Sequence, residues 1–121
     1  MDWQQFQEFA RGQMERHFGL PLSERQLPDV PKRFDLVSPD GKIVGDAKYP
    51  SLVNRQTLPP AKFMEIAGHV WLLEKTRADS LFLVFGNQRE VPAWWLKKYR
   101  TIVGRVAFYF LHDDGKVETL T

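Results

Sequence analysis

Asp35, Asp46 and Lys48 are the residues whose types and spacing could do chemistry together. Arg33-Phe34-Asp35-Leu36-Val37 alternates in polarity, and Ile43 to Tyr49 runs on as a second arm. Pro39-Asp40-Gly41-Lys42 lies between the arms, and Asp-Gly is a strong short-range hairpin signal. A two-residue turn at Asp40-Gly41 and a four-residue loop from Pro39 to Lys42 predict the same register: Val37 faces Val44, and Asp35 faces Asp46. Directly opposed side chains on one face have Cβ atoms ~4.5–5.5 Å apart. Lys48 follows Asp46 by two positions and is expected on the same face, as are Val37 and Val44. Phe34, Leu36, Ile43, Ala47 and Tyr49 are expected to point the other way, into a helix-covered core.

Two carboxylates held opposite each other repel, so they either share a proton or recruit a cation. Mg²⁺, with Mn²⁺ as a substitute, suits them because a hard divalent ion takes carboxylate oxygen and keeps several waters. Lys48 adds a positive point charge that can orient a water or steady a phosphate oxygen. Two acids, a metal and a lysine suffice to cleave a phosphodiester without cysteine, histidine or an organic cofactor. The bland alternative is a solvated Asp–Lys surface pair worth ~0–1 kcal/mol.

These residues must be positioned by the elements around them. Residues 2–18 read as an amphipathic helix, with Trp3, Phe6, Ala10, Met14 and Phe18 at helical spacing and Gly19 as its stop. Residues 20–31, broken by Pro21, Pro28 and Pro31, read as irregular or edge strand. A loop over 50–60 leads to a helix over 61–76, whose buried face is Phe63, Ile66, Ala67, Val70 and Leu73. Ser80 to Phe85 reads as a buried strand, reached through that helix and so able to lie parallel to the motif strand. A short helix over 92–103 follows, then strands at Val106–Leu111 and Val117–Leu120 joined by Asp114-Gly115. The expected class is α/β, a mixed sheet flanked by helices.

Phe34-Asp35, ten intervening residues and then Asp46-Ala47-Lys48 after Val44-Gly45 resemble the signature of the PD-(D/E)XK nuclease superfamily. The element order over roughly residues 3–86 is similar to that superfamily's restriction-endonuclease-like core, α-β-β-α-β, here followed by a further helix and strands. The resemblance implies metal-dependent hydrolysis of nucleic acid, with DNA as the expected substrate. It implies that Asp35 is the first metal-binding acid, Asp46 the second, Lys48 the motif lysine and the Ala47 carbonyl a further ligand. Phe34 stands where the motif has proline, and aspartate stands where it allows Asp or Glu. Such nucleases often add a glutamate from the first helix. Glu15, in a segment resembling their Gly-x-x-Glu, is preferred to Glu8, although both lie well away from the apolar stripe of that helix.

Other residues carry weaker signals. Lys62, Glu65 and His69 share one helical face; Lys62 either reaches the metal site or the phosphate backbone, or belongs to an exposed Glu–Lys pair. Asn54, Arg55 and Gln56, in the loop after the motif strand, could touch substrate. Trp94, Trp95, Lys97, Lys98, Tyr99 and Arg100 could form a stacking platform, but a half-buried helix with a basic outer face gives the same string. His112-Asp113-Asp114 is better explained by a hairpin turn than by a second metal site.

Composition bounds the reading. The 121 residues amount to one domain, residues 1–121, with 43% hydrophobic types, 15 acids against 17 bases and a formal charge of +2. That balance permits a polyanionic partner without demanding one. Cysteine is absent, which removes disulfides, thiolate nucleophiles and Cys-type zinc sites. No apolar run approaches the ~18 residues of a membrane span. No basic segment followed by an apolar one marks a secretory signal, so a cytoplasmic location is expected. The chain is small for a nuclease, so a homodimer or a partner protein could supply specificity. The alternative function is a non-catalytic nucleic-acid-binding or protein-interaction module with the same fold.

Overall fold

The computed structural model describes residues 1–51 and 59–121. Helix α1 spans Trp3–Phe18. Asp2 caps it: its carboxylate accepts the Gln5 N–H at 2.8 Å, while the Gln5 side chain accepts the Asp2 N–H at 2.8 Å. This reciprocal box satisfies two of the free donors at a helix start. Gly19 closes the helix in the left-handed conformation, φ 74°, and its N–H reaches the Glu15 carbonyl. Phe6, Ala10 and Met14, one turn apart, form the buried stripe.

Among the described residues, six strands follow in one sheet, in sequential order. They are β1 (Ser23–Gln26), β2 (Arg33–Val37), β3 (Ile43–Lys48), β4 (Ser80–Phe85), β5 (Val106–Leu111) and β6 (Val117–Thr119). The Pro-broken segment expected to be irregular or edge thus supplies a four-residue edge strand. β1–β2, β2–β3 and β5–β6 are antiparallel, and β3–β4 and β4–β5 are parallel. Helix α2 (Pro60–Glu74) makes the first parallel crossover, and α3 (Glu90–Tyr99) with a 3-10 turn at Arg100–Ile102 makes the second. α3 begins two residues before Pro92, because a proline is tolerated in a first turn whose N–H groups have no intrahelical acceptor.

The sheet advances in one direction from β3 to β5, so right-handed crossovers bring α2 and α3 to the same face. The two apolar clusters show this layering. Ile66, Val70, Leu73, Val91, Trp95 and Leu96 pack with Val37, Val44, Leu83 and Phe108 on one side. Phe6, Ala10 and Met14 pack with Leu36, Ala47, Phe82 and Val84 on the other. β4, central and covered on both faces, is apolar throughout its buried run from Leu81 to Phe85. Trp95 is a core residue: its ring stacks on Phe108 at 5.2 Å and its indole N–H donates to the Phe63 carbonyl. The basic-platform reading of this segment therefore gives way to the packed helix.

The hairpin takes the four-residue loop. Ser38 N–H donates to the Ile43 carbonyl, Gly41 N–H to the Ser38 carbonyl, and Gly41 has φ 72°. The register matches the expected one at Val37–Val44 and Leu36–Gly45. Against β1 the register slips: Ser23 pairs with Val37 and Arg25 with Phe34, two steps on β1 against three on β2. This is a β-bulge in β2, which turns the chain between Phe34 and Leu36. Phe34 consequently packs on the α2–α3 side with Val37, not on the α1 side with Leu36 as strict alternation requires.

Gly45 sets how closely β3 can carry the motif past β4. A Cβ there would sit 2.4 Å from ring carbons of Phe82, itself buried. Gly45→Ala is expected to destabilise the fold by about 1–3 kcal/mol, the usual cost of overpacking a filled core, measured by urea denaturation.

Candidate active site

The β2–β3 ladder stops at the two aspartates, and their side chains take over its hydrogen bonds. Asp35 N–H donates to Asp46 Oδ1 at 2.9 Å, and Ala47 N–H donates to Asp35 Oδ2 at 3.0 Å. The bulge opens the strands here, and the carboxylates fill the gap. The expected side-by-side placement of Asp35 and Asp46 on one face is therefore not formed: the ladder pairing ends at Leu36–Gly45, and the two acids meet through each other's main chain. Asp35 leans toward α1, where Oδ1 accepts the Gln7 side-chain N–H at 2.9 Å. Asp46 leans toward α2, where Oδ2 meets His69 Nδ1 at 3.2 Å. Ala47 turns its N–H toward β2, and with it the carbonyl, since both groups of a strand residue point to the same side.

Lys48 extends from β3 on the α2 side, as its spacing from Asp46 implies. Its Nζ lies 2.5 Å from His69 Nε2, so the imidazole bridges Lys48 and Asp46. Lys48 also borders a small cleft whose rim includes Lys62, Glu65 and Ile66 of α2 with Phe85 and Val91. Lys62 donates to Glu65 Oε2 at 3.0 Å, so the Glu–Lys pair is real and sits at the mouth of the same cleft.

Lys32, just before β2, places Nζ 2.9 Å from Asp46 Oδ2 with only 19% of its side chain exposed. Burial raises the Asp46 carboxyl, but the His69 hydrogen bond, the Lys32 charge and the Asp35 N–H outweigh it and hold the group down at about 2. Asp35 is shifted the other way: burial and the neighbouring Asp46 charge push it up, against the Ala47 N–H and the two lysines. Burial lowers Lys48, opposed by Asp46 and Glu65. Burial raises Glu65, but the Lys62 hydrogen bond and the charges of Lys62 and Lys48 bring it below its ordinary value.

Asp35, Asp46, Ala47 and Lys48 thus come together, with Lys62 nearby. Glu15 does not join them. Its Oε2 accepts the Leu22 N–H at 2.9 Å and pins the chain leaving α1. Gln7, eight residues and about 12 Å earlier along the helix axis, is what α1 presents to Asp35. Glu8 pairs with Arg11. Arg55, with Asn54 and Gln56, lies outside the described residues. His112 contacts Glu118 at 2.8 Å beside a turn with Gly115 at φ 94°, in keeping with hairpin chemistry.

Sequence reasoning missed Lys32 and Gln7 and left His69 on a shared helix face without a role. A crossover helix laid over the motif face was signal enough for His69. Nothing in the local pattern announced Lys32, because the bulge that brings it in is not written in the alternation.

Among the described residues, no group of three or more His, Cys, Asp or Glu side chains forms a ready-made metal cage, and no helix is long and apolar enough to cross a membrane. Two carboxylates that meet in the gap between β2 and β3, beside a main-chain carbonyl turned toward β2, still suit a hard cation that retains waters. Burial first, and the neighbouring Asp46 charge second, push Asp35 up, and a cation held beside both acids would offset each. Comparison of the sequence with protein-family models and with curated proteins finds no match.

Proposed function

We propose that the chain is a metal-dependent nuclease of the restriction-endonuclease-like fold, hydrolysing phosphodiester bonds of nucleic acid, DNA in the first instance. One observation carries the reading: two aspartates from adjacent strands replace the ladder between them, with the Lys48 ammonium two residues further on. The order α1–β1–β2–β3–α2–β4 supports it, since apart from the added edge strand β1 it follows the α-β-β-α-β core of the PD-(D/E)XK resemblance.

In this reading Asp35, Asp46 and the Ala47 carbonyl hold Mg²⁺ or Mn²⁺. The bound ion would polarise a phosphoryl oxygen and acidify a water. Lys48 orients that water, and in its neutral amine form, which burial favours, it would take the proton and become the ammonium. His69 fixes the Lys48 ammonium relative to Asp46. Lys62, at the cleft mouth, meets the phosphate backbone. Such a chain works in the cytoplasm, as a homodimer or with a partner protein that adds specificity.

A cleavage panel of single-stranded, duplex and branched DNA and of RNA, with Mg²⁺ or Mn²⁺, tests the proposal. The expected result is cleavage of at least one DNA substrate that a chelator abolishes. Binding to these substrates without cleavage under any metal condition would instead support a non-catalytic module. The observation favouring that second reading is Lys32, which already gives Asp46 a counter-charge.

A further inference from the structure

Building on the nuclease reading, we infer that Lys32 is an internal counter-cation that holds the Asp46 carboxylate in the metal-free protein and competes with a divalent ion for it, so that this residue sets the metal affinity of the site. The oxygens of the two acids are differently engaged. Asp35 Oδ1 and Oδ2 each accept one N–H, from Gln7 and Ala47. A carboxylate oxygen has room for about two partners, so each keeps a free position. Asp46 Oδ1, which accepts the Asp35 N–H, keeps a free position too, whereas Oδ2 already meets both Lys32 Nζ at 2.9 Å and His69 Nδ1 at 3.2 Å. A cation approaching Oδ2 must displace one of them.

Lys32 is the one that can leave. His69 is fixed on α2 and tied at its other nitrogen to Lys48. Lys32 sits on the segment before β2, on a flexible four-carbon stem. Its other contacts are weak and local: the Arg33 carbonyl at 3.0 Å and the Phe34 ring, with Nζ 4.9 Å from the centroid. The ammonium thus lets Asp46, 1% exposed, stay ionised in the folded chain before any metal arrives. The same contact opposes the metal, both by occupying Oδ2 and by leaving a positive charge close to the incoming ion.

Calorimetric titration of Mn²⁺ into the metal-free full chain, wild type against Lys32→Gln and Lys32→Arg, tests this. Lys32→Gln is expected to bind Mn²⁺ about tenfold more tightly or better, the order expected from removing a cation a few ångströms from a divalent ion under solvent screening. Lys32→Arg, which keeps the charge, is expected to stay within about threefold of wild type. Thermal melting supplies a second readout: Lys32→Gln should melt below wild type without metal and gain more from Mn²⁺. If Lys32→Gln does not fold alone, recovery of its circular dichroism on adding Mn²⁺ supports the inference, and failure to recover at millimolar Mn²⁺ overturns it. Equal or weaker binding by Lys32→Gln, or an equal gain in Lys32→Arg, also overturns it while leaving the nuclease reading intact. Absence of Mn²⁺ binding in all three proteins instead defeats the metal reading itself.

Discussion

Lys48→Met is expected to slow metal-dependent cleavage by about 10²–10⁴-fold, the range a positioned proton-transfer group contributes. The methionine keeps the length and apolar stem of the side chain, so packing beside Ile66, Phe85 and Val91 survives. What disappears is the Nζ against His69, and with it the group that can orient or deprotonate a water next to Asp46. Single-turnover cleavage at saturating metal is the measurement, with Mn²⁺ affinity measured alongside. Affinity is expected to change little, because Lys48 is not a ligand. Lys48→Arg is expected not to restore the rate, since a guanidinium stays protonated and cannot accept a proton. Restoration by arginine would assign Lys48 the role of a fixed charge.

Asp46→Asn has the second large effect, and it falls on stability as well as on metal. The substitution leaves the half-buried Lys32 ammonium without its anion and weakens the His69 contact. With one partner half-buried, the loss is expected to cost about 1–3 kcal/mol. Asp35→Asn is expected to cost much less, or to stabilise the metal-free chain, because it removes a charge that burial and Asp46 both disfavour. The two acids also differ in the sign of their pH dependence. Asp46 is held from the ordinary 3.8 down to about 2 in the folded chain, so its stabilising contribution is complete above the ordinary value and is lost as pH falls toward about 2. Asp35, raised, contributes in the opposite sense: folding is favoured as pH falls and it takes up its proton. Urea denaturation in a chelator between about pH 2 and 6, the range of carboxylate titration, should therefore show a shallower acid loss in Asp46→Asn than in wild type. An unchanged acid slope would contradict the assignment of the low-titrating group to Asp46.

Much of this architecture is legible in the residues. Asp2 and Gly19 bound α1, Asp40-Gly41 marks the hairpin, and Leu81 to Phe85 is too uniformly apolar for anything but a strand covered on both faces. These are local signals, set by caps, turns and periodicity. The register at Val37–Val44 and Leu36–Gly45 follows from the turn alone, which is why it could be read in advance. The bulge in β2 is not local: it appears only in the pairing with β1, a short strand of polar residues with no pattern of its own. That bulge moves Phe34 to the other face, opens the ladder at Asp35 and brings Lys32 to Asp46. Glu15 illustrates the same limit. Its helical position admits a site role, but its partner, the Leu22 N–H, is set by how the chain leaves α1. His69 lay between these cases, on a face that could be read but with a purpose fixed by the β3–α2–β4 crossover.

The central claim is that the opened ladder between Asp35 and Asp46 holds a divalent cation. Calorimetric titration of Mg²⁺ and Mn²⁺ into wild type and into Asp35→Asn tests it most directly, because Asp35→Asn is the ligand change expected to leave the fold intact. Saturable binding by wild type that is lost or strongly weakened in the folded Asp35→Asn protein is the predicted result. No binding by wild type at millimolar metal, with or without nucleic acid, would contradict the claim and reduce the two aspartates to strand-bridging hydrogen-bond acceptors.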